Sequence, residues 1–265
     1  MGENDAIHFA KCIGAGVAEA FRTCRFFLGV ETEVFENADI HPEYITTVEV
    51  AKKLTGVDRF VSLETHMKDL RHEAGKLARM RSLKKTQSWP AIAGILSQFK
   101  FGTKDSSRID IVVRPSSEDQ PPLLLAEAKL GVGNVAGIIQ DIDRVMRLLV
   151  MYHQLDLLDQ NPVYGAVLFH STKQGGDANS AALAAQRLLT TVESYLSSLK
   201  VEHPWLNAKA GLLSSEATHQ PVQGYWEQYG EGEDDGEMVF AKTSFTFAPG
   251  LILLSHRPDV DNVTF

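Results

Sequence analysis

Two cysteines among 265 residues, Cys12 and Cys24, exclude a disulfide scaffold, and their spacing is not that of a metal knuckle. A reducing, cytoplasmic compartment is the expectation, with a hydrophobic core doing what disulfides do in small secreted chains. Long apolar runs are missing too; none reaches the roughly 20 residues of a membrane-spanning helix, so no membrane is expected. The opening MGENDAIHFAK is acidic and lacks the basic start and apolar stretch of a secretory signal. Nine histidines are scattered without an H-x-H or H-x-x-x-H pair, which weighs against zinc hydrolysis. Also lacking are the phosphate loop G-x-x-x-x-G-K-[ST], a G-x-G-x-x-G after a strand, and the nucleophile elbow G-x-S-x-G. Gly14-Ala15-Gly16 falls inside a helical pattern and is expected to serve packing.

What is present is an ordinary globular composition, 44% hydrophobic and 23% charged, in a length that suits one large domain. The net charge of −8 argues at first against nucleic acid. Its distribution argues otherwise. Between residues 76 and 108 stand Lys76, Arg79, Arg81, Lys84, Lys85, Lys100, Lys104 and Arg108 against the single acid Asp105. Such a block either meets backbone phosphates, with Trp89 to stack on a base, or forms a solvated face paired with acids elsewhere.

Apolar periodicity predicts helices over 6–29, 39–56, 62–82, 134–160 and 177–200, with 89–99 a short helix or irregular. Pro42 and Glu43 punctuate the start of the second helix, and Asn134 is a candidate cap. Strands are expected at 108–114, 123–130 and 163–170. Two later alternating runs, GYWEQYG and MVFAKTSFTFAPG, suggest a hairpin closed by the acidic EGEDDGE. This order indicates an α/β fold on a mixed sheet flanked by helices, with a C-terminal β-hairpin as elaboration.

The most strand-like segment, SSRIDIVVRPSSEDQPPLLLAEAKLG (106–131), carries charge where a strand wants Ile or Val. Alternation sends Ile109, Ile111 and Val113 to one face and Asp110 and Val112 to the other; Leu123, Leu125, Glu127 and Lys129 share a face. If the strands are neighbours, Asp110, Glu127 and Lys129 converge. Two carboxylates so placed repel unless a cation lies between them, and a hard divalent ion, Mg²⁺ or Mn²⁺, suits oxygen ligands. Such a site can activate water for phosphodiester hydrolysis, with the ammonium beside it. Glu127–Lys129 is the sole acid-x-Lys pair in the sequence, and Asp110 precedes it by 17 residues. The alternative is a sheet edge whose charges discourage aggregation.

The pattern RID…LAEAK resembles the PD-(D/E)xK, or restriction-endonuclease-like, nuclease superfamily, with Ile109 where that pattern has Pro. The resemblance covers roughly residues 40–170 and leaves 175–265 as an elaboration of unknown role. It implies Asp110 and Glu127 as metal ligands, Ala128 offering its carbonyl, and Lys129 as the catalytic lysine. It also implies a further ligand on an earlier helix, Glu43 or else Glu49. Glu43 has the alternative of simply favouring its helix N-terminus, and Glu49 of pairing with Lys53. Gln140 is an accessory candidate on the helix after the lysine, whose Asp141 and Arg144 otherwise read as a solvated i,i+3 pair. His170 either points at the site or is a core histidine.

The implied activity is Mg²⁺-dependent cleavage of DNA, endonucleolytic rather than exonucleolytic, in bacterial defence, restriction or repair. Lys84, Lys85, Lys100, Lys104 and Arg108 are the candidate phosphate contacts, and a homodimer or partner subunit is compatible with the family. A nuclease-like module that binds nucleic acid or protein without cutting is the alternative.

Overall fold

In the computed structural model, helix α1 (Asp5–Leu28) and α2 (Pro42–Leu54) precede strand β1 (Arg59–His66), α3 (Met67–Ser82) and α4 (Trp89–Gln98). Strands β2 (Arg108–Pro115) and β3 (Leu124–Lys129) lead to α5 (Ala136–Gln154), β4 (Tyr164–Gln174) and α6 (Ser180–Glu202). Then come β5 (Asn207–Leu212), β6 (Gln223–Gln228), β7 (Gly236–Ala241), β8 (Phe245–Ser255) and a 3₁₀ turn at Pro258–Asn262. The structure describes residues 5–28, 42–82, 88–101, 108–117, 119–129, 134–159, 161–174, 179–213, 223–228, 236–241 and 245–265.

Six strands form one mixed sheet in the order β1-β2-β3-β4-β8-β5. Only β3 and β4 run parallel; every other neighbouring pair is antiparallel. A parallel pair needs a crossover, and α5 supplies it. The two parallel strands are central, and their starts, LLA and YGAVLF, are buried on both faces as an apolar run requires.

Helices cover both sides of the sheet. On one, α3, α4, α5 and α6 bury Leu70, Ile92, Ile142, Leu149 and Leu189 against Val112, Leu125 and Val167. On the other, α1 and α2 bury Phe9, Ile13 and Val50 against Ile111, Leu124 and Leu168. Gly16 sits where α1 crosses α2: a Cβ there would lie 2.5 Å from Val50 Cα, so the glycine serves packing, as its helical context predicts.

Three sequence expectations need correction. Residues 62–66 are not helical; SLETH is the end of β1, and the helix starts only at Met67. Tertiary pairing decides this, because every residue of Arg59–His66 except Glu64 pairs with β2. Second, MVFAKTSFTFAPG does not run as one strand. Its first part pairs with β6 in a separate two-stranded sheet, while Phe245–Ser255 enters the main sheet between β4 and β5. Of the acidic EGEDDGE, residues 231–235 lie outside the described residues, and Gly236 and Glu237 begin β7. Third, Ile109 does not share a face with Ile111 and Val113; it packs with Val112 instead. The slip coincides with Glu64, whose φ of 54° is left-handed and whose position in register is opposite Asp110. A non-glycine residue held there costs about 1–2 kcal/mol, and it breaks the pleat next to the one acidic residue of β2.

Candidate functional site

The hydrogen-bonded ladder between β2 and β3 runs from Val113–Leu124 through Val112–Leu125 to Ile111–Ala126. One step further in the same register stand Asp110 and Glu127, the carboxylates predicted to converge. Here the carboxylate takes over from the backbone: Asp110 Oδ2 accepts the N–H of Ala128 at 2.7 Å. Glu127 is buried among the apolar residues of β3. Its pKa is raised well above the ordinary carboxylate range, first by burial, then by the charge of Asp110, with which it also hydrogen-bonds. A second carboxylate in so small a space disfavours the charged form of Glu127 unless a cation offsets it.

A cation is partly supplied by α5. Arg144 Nη1 donates to Glu127 Oε1 at 2.8 Å, and Nη2 donates to Asp141 Oδ1 at 3.0 Å. The i,i+3 pairing of Asp141 with Arg144 is as the sequence suggested, but the helix face is not solvated, since Asp141 is buried. Ile138, Ile142, Val145 and Leu149 dock α5 on the sheet and turn this side of the helix toward Glu127.

Burial lifts the Asp141 carboxyl from 3.8 to about 6, opposed by the neighbouring cations Arg144 and Lys129. A carboxyl raised on folding holds its proton more tightly in the native state. Its contribution to stability is therefore complete below pH 3.8 and lost as pH rises through about 6. Asp141→Asn is expected to flatten the stability–pH curve across that window in urea unfolding; an unchanged slope contradicts the assignment.

Lys129, half-buried, is the last residue of β3, and its stem lies against the first turn of α5. A Cβ built on Gly137 would stand 3.4 Å from Lys129 Cε, so the missing side chain leaves the ammonium its path. Gly137→Val adds branches into that space and is expected to move Lys129 while α5 still folds. Whatever activity the site has should fall about tenfold or more with a stability change near 1 kcal/mol. Equal activity would show that Lys129 is not held by this contact.

The other candidates divide. Glu43 is half-buried in the first turn of α2, and its charge reaches Asp141. Glu49 forms a surface pair with Lys52 at 2.7 Å, one residue before the partner expected for it. Gln140 is exposed on α5, next to Asp141. His170 stands on β4 one residue past Phe169, the register partner of Lys129, and burial lowers its pKa to about 4. Alternation sets it with Ala166 and Leu168, on the sheet face away from Glu127. Among the described residues, no group of three or more His, Cys, Asp and Glu side chains is arranged as a ready metal cage.

Lys84, Lys85 and Lys104 lie outside the described residues. Lys76, Arg79 and Lys100 are exposed, whereas Arg108 is half-buried and 3.8 Å from Glu64. Trp89 is 51% exposed, with the Arg79 guanidinium 5.3 Å above its ring. Periodicity gave no warning of Arg147 on α5: it lies 5.0 Å over the Phe101 ring and donates to the Lys100 carbonyl at 3.1 Å. One helix thus carries Arg144 into the carboxylate cluster and, a turn later, Arg147 to the basic segment. Among the described residues no helix is long and apolar enough to cross a membrane.

The chain is therefore α/β, with a six-stranded mixed sheet flanked by helices, and comparison with family models, with curated proteins and with solved structures gave no match.

Proposed function

We propose that this protein is a metal-dependent nuclease of restriction-endonuclease-like fold that hydrolyses DNA phosphodiester bonds. The observation that carries the reading is the cross-strand juxtaposition of Asp110 and Glu127, with Lys129 two residues on. The seats of Asp110 on β2 and of Glu-x-Lys on the neighbouring β3 support the reading.

The donor set suits Mg²⁺ or Mn²⁺: oxygens only, with the buried Glu127 carboxyl raised well above the ordinary range by burial and by the charge of Asp110. Asp110, Glu127 and the Ala128 carbonyl would hold the ion, with Glu43 as a further ligand. When bound, it would polarise a phosphoryl oxygen and lower the pKa of water. The chain's own groups do the rest. Lys129 orients the attacking water and offsets charge on the pentacoordinate phosphorus. Asp110, through the Ala128 N–H, fixes the geometry of β3 where the ligands sit. Exposed Lys76, Arg79, Lys100 and Arg147, with Lys84, Lys85, Lys104 and Arg108, meet the phosphate backbone without selecting a sequence. Endonucleolytic cutting in bacterial defence, restriction or repair is the setting we favour, with a homodimer or partner subunit supplying the second strand's cut.

The test is cleavage of single- and double-stranded DNA and RNA in Mg²⁺, Mn²⁺ or EDTA. Cutting that needs the metal and is lost in Asp110→Ala and Lys129→Ala supports the reading and names the substrate; cutting that survives both overturns it. The second reading, a module that binds nucleic acid without cutting, is favoured by one observation: Arg144 already bonds a Glu127 oxygen. Salt-sensitive binding with no cleavage in any metal would select it.

A further inference from the structure

We propose that Arg144 is the built-in counter-ion of the carboxylate cluster, competing with a divalent metal for Glu127 and so setting how tightly the site takes metal up. This rests on the metal-dependent reading above. The guanidinium is held through two different nitrogens by two different carboxylates, Glu127 and Asp141. Asp141 lies on the same helix, three residues before it, so Arg144 can release Glu127 and remain anchored. Exposure points the same way: the Arg144 side chain is 25% exposed, against 2% for Glu127 and 6% for Asp141. The carboxylates lie inside and the cation at the solvent edge, where it can move.

Charge completes the argument. Asp110, Glu127 and Asp141 face Arg144 and Lys129, with Glu43 adding a more distant negative charge. A divalent ion on Asp110 and Glu127 would stand against two resident cations, one of which, the Arg144 guanidinium, already holds a Glu127 oxygen. Lys129 belongs to the same strand as Glu127 and lies along Gly137, whereas Arg144 has an alternative partner already in place. An opposite charge at this range shifts proton affinity by about one to three decades, and competition for a metal ion is of the same kind.

The experiment is Mn²⁺ titration of the full chain by calorimetry, with thermal melts in Mn²⁺ and in EDTA, for wild type, Arg144→Gln and Arg144→Lys. Arg144→Gln is expected to bind Mn²⁺ about ten- to hundredfold more tightly than wild type and to gain more in melting temperature from the ion. Arg144→Lys, a point charge without the fork, should fall between them. If Arg144→Gln folds only when Mn²⁺ is added, as read by circular dichroism, the competition is shown in its extreme form. If it folds under neither condition, Arg144→Lys decides by whether it binds more tightly than wild type. Equal or weaker binding in the folded variants overturns the proposal and leaves the metal reading standing. No Mn²⁺ binding by any of the three overturns both.

Discussion

Arg144→Ala is expected to destabilise the metal-free protein by about 2–4 kcal/mol in urea unfolding, far more than any surface ion pair. The cause is not the loss of an attraction as such. Glu127 and Asp141 are buried and cannot recover their hydration when the guanidinium is removed, so they must take up protons or remain uncompensated. Glu127→Gln in the same background should restore at least half of the loss, since a neutral amide needs no counter-ion. Lys52→Ala, which breaks a pair whose lysine is 63% exposed, should change stability by less than about 0.5 kcal/mol. Similar small losses for both single variants would mean that the buried network is not maintained in solution.

Lys129→Ala is expected to reduce metal-dependent cleavage by about 10²–10⁴-fold while leaving folding and Mn²⁺ affinity nearly unchanged. Removal of a catalytic ammonium acts on the transition state, so the loss should fall on kcat rather than on KM. Its stem packs on the open face of Gly137 and fills no deep cavity, which keeps the structural cost small. Lys129→Arg should not rescue: a planar fork is longer, and it cannot present one compact charge in that space. A loss confined to KM would instead assign Lys129 to substrate binding.

How far the sequence carried can be read from particular residues. Alternation along RIDIVV and LLLAEAK put Asp110 and Glu127 on faces that converge if the strands are neighbours, and the β2–β3 register, which runs on to that pair, makes them so. The same alternation failed at Ile109, since it cannot foresee a left-handed Glu64 on the neighbouring strand. SLETH read as helix because its polar pattern joins smoothly to α3; only the long-range ladder with β2 makes it a strand. Arg144 and Asp141 looked like a solvated pair because their i,i+3 spacing carries no information about depth. A clue lay in the helix itself. Ile138, Ile142 and Val145 form its apolar stripe, and Asp141 stands beside Ile142 on that flank. Arg147, joined to Phe101 and to Lys100 far away in sequence, offered no such signal.

Asp110→Asn offers the cleanest separation of structure from chemistry, because an amide oxygen can still accept the Ala128 N–H while the negative charge is gone. The decisive measurement is the single-turnover rate of Mg²⁺-dependent DNA cleavage for wild type and Asp110→Asn, both verified as folded. A nuclease site at Asp110, Glu127 and Lys129 requires a wild type that cuts, and a variant at least as stable that does not cut above the EDTA background. A wild type that never cuts, or an Asp110→Asn variant that cuts as fast as wild type, would contradict it.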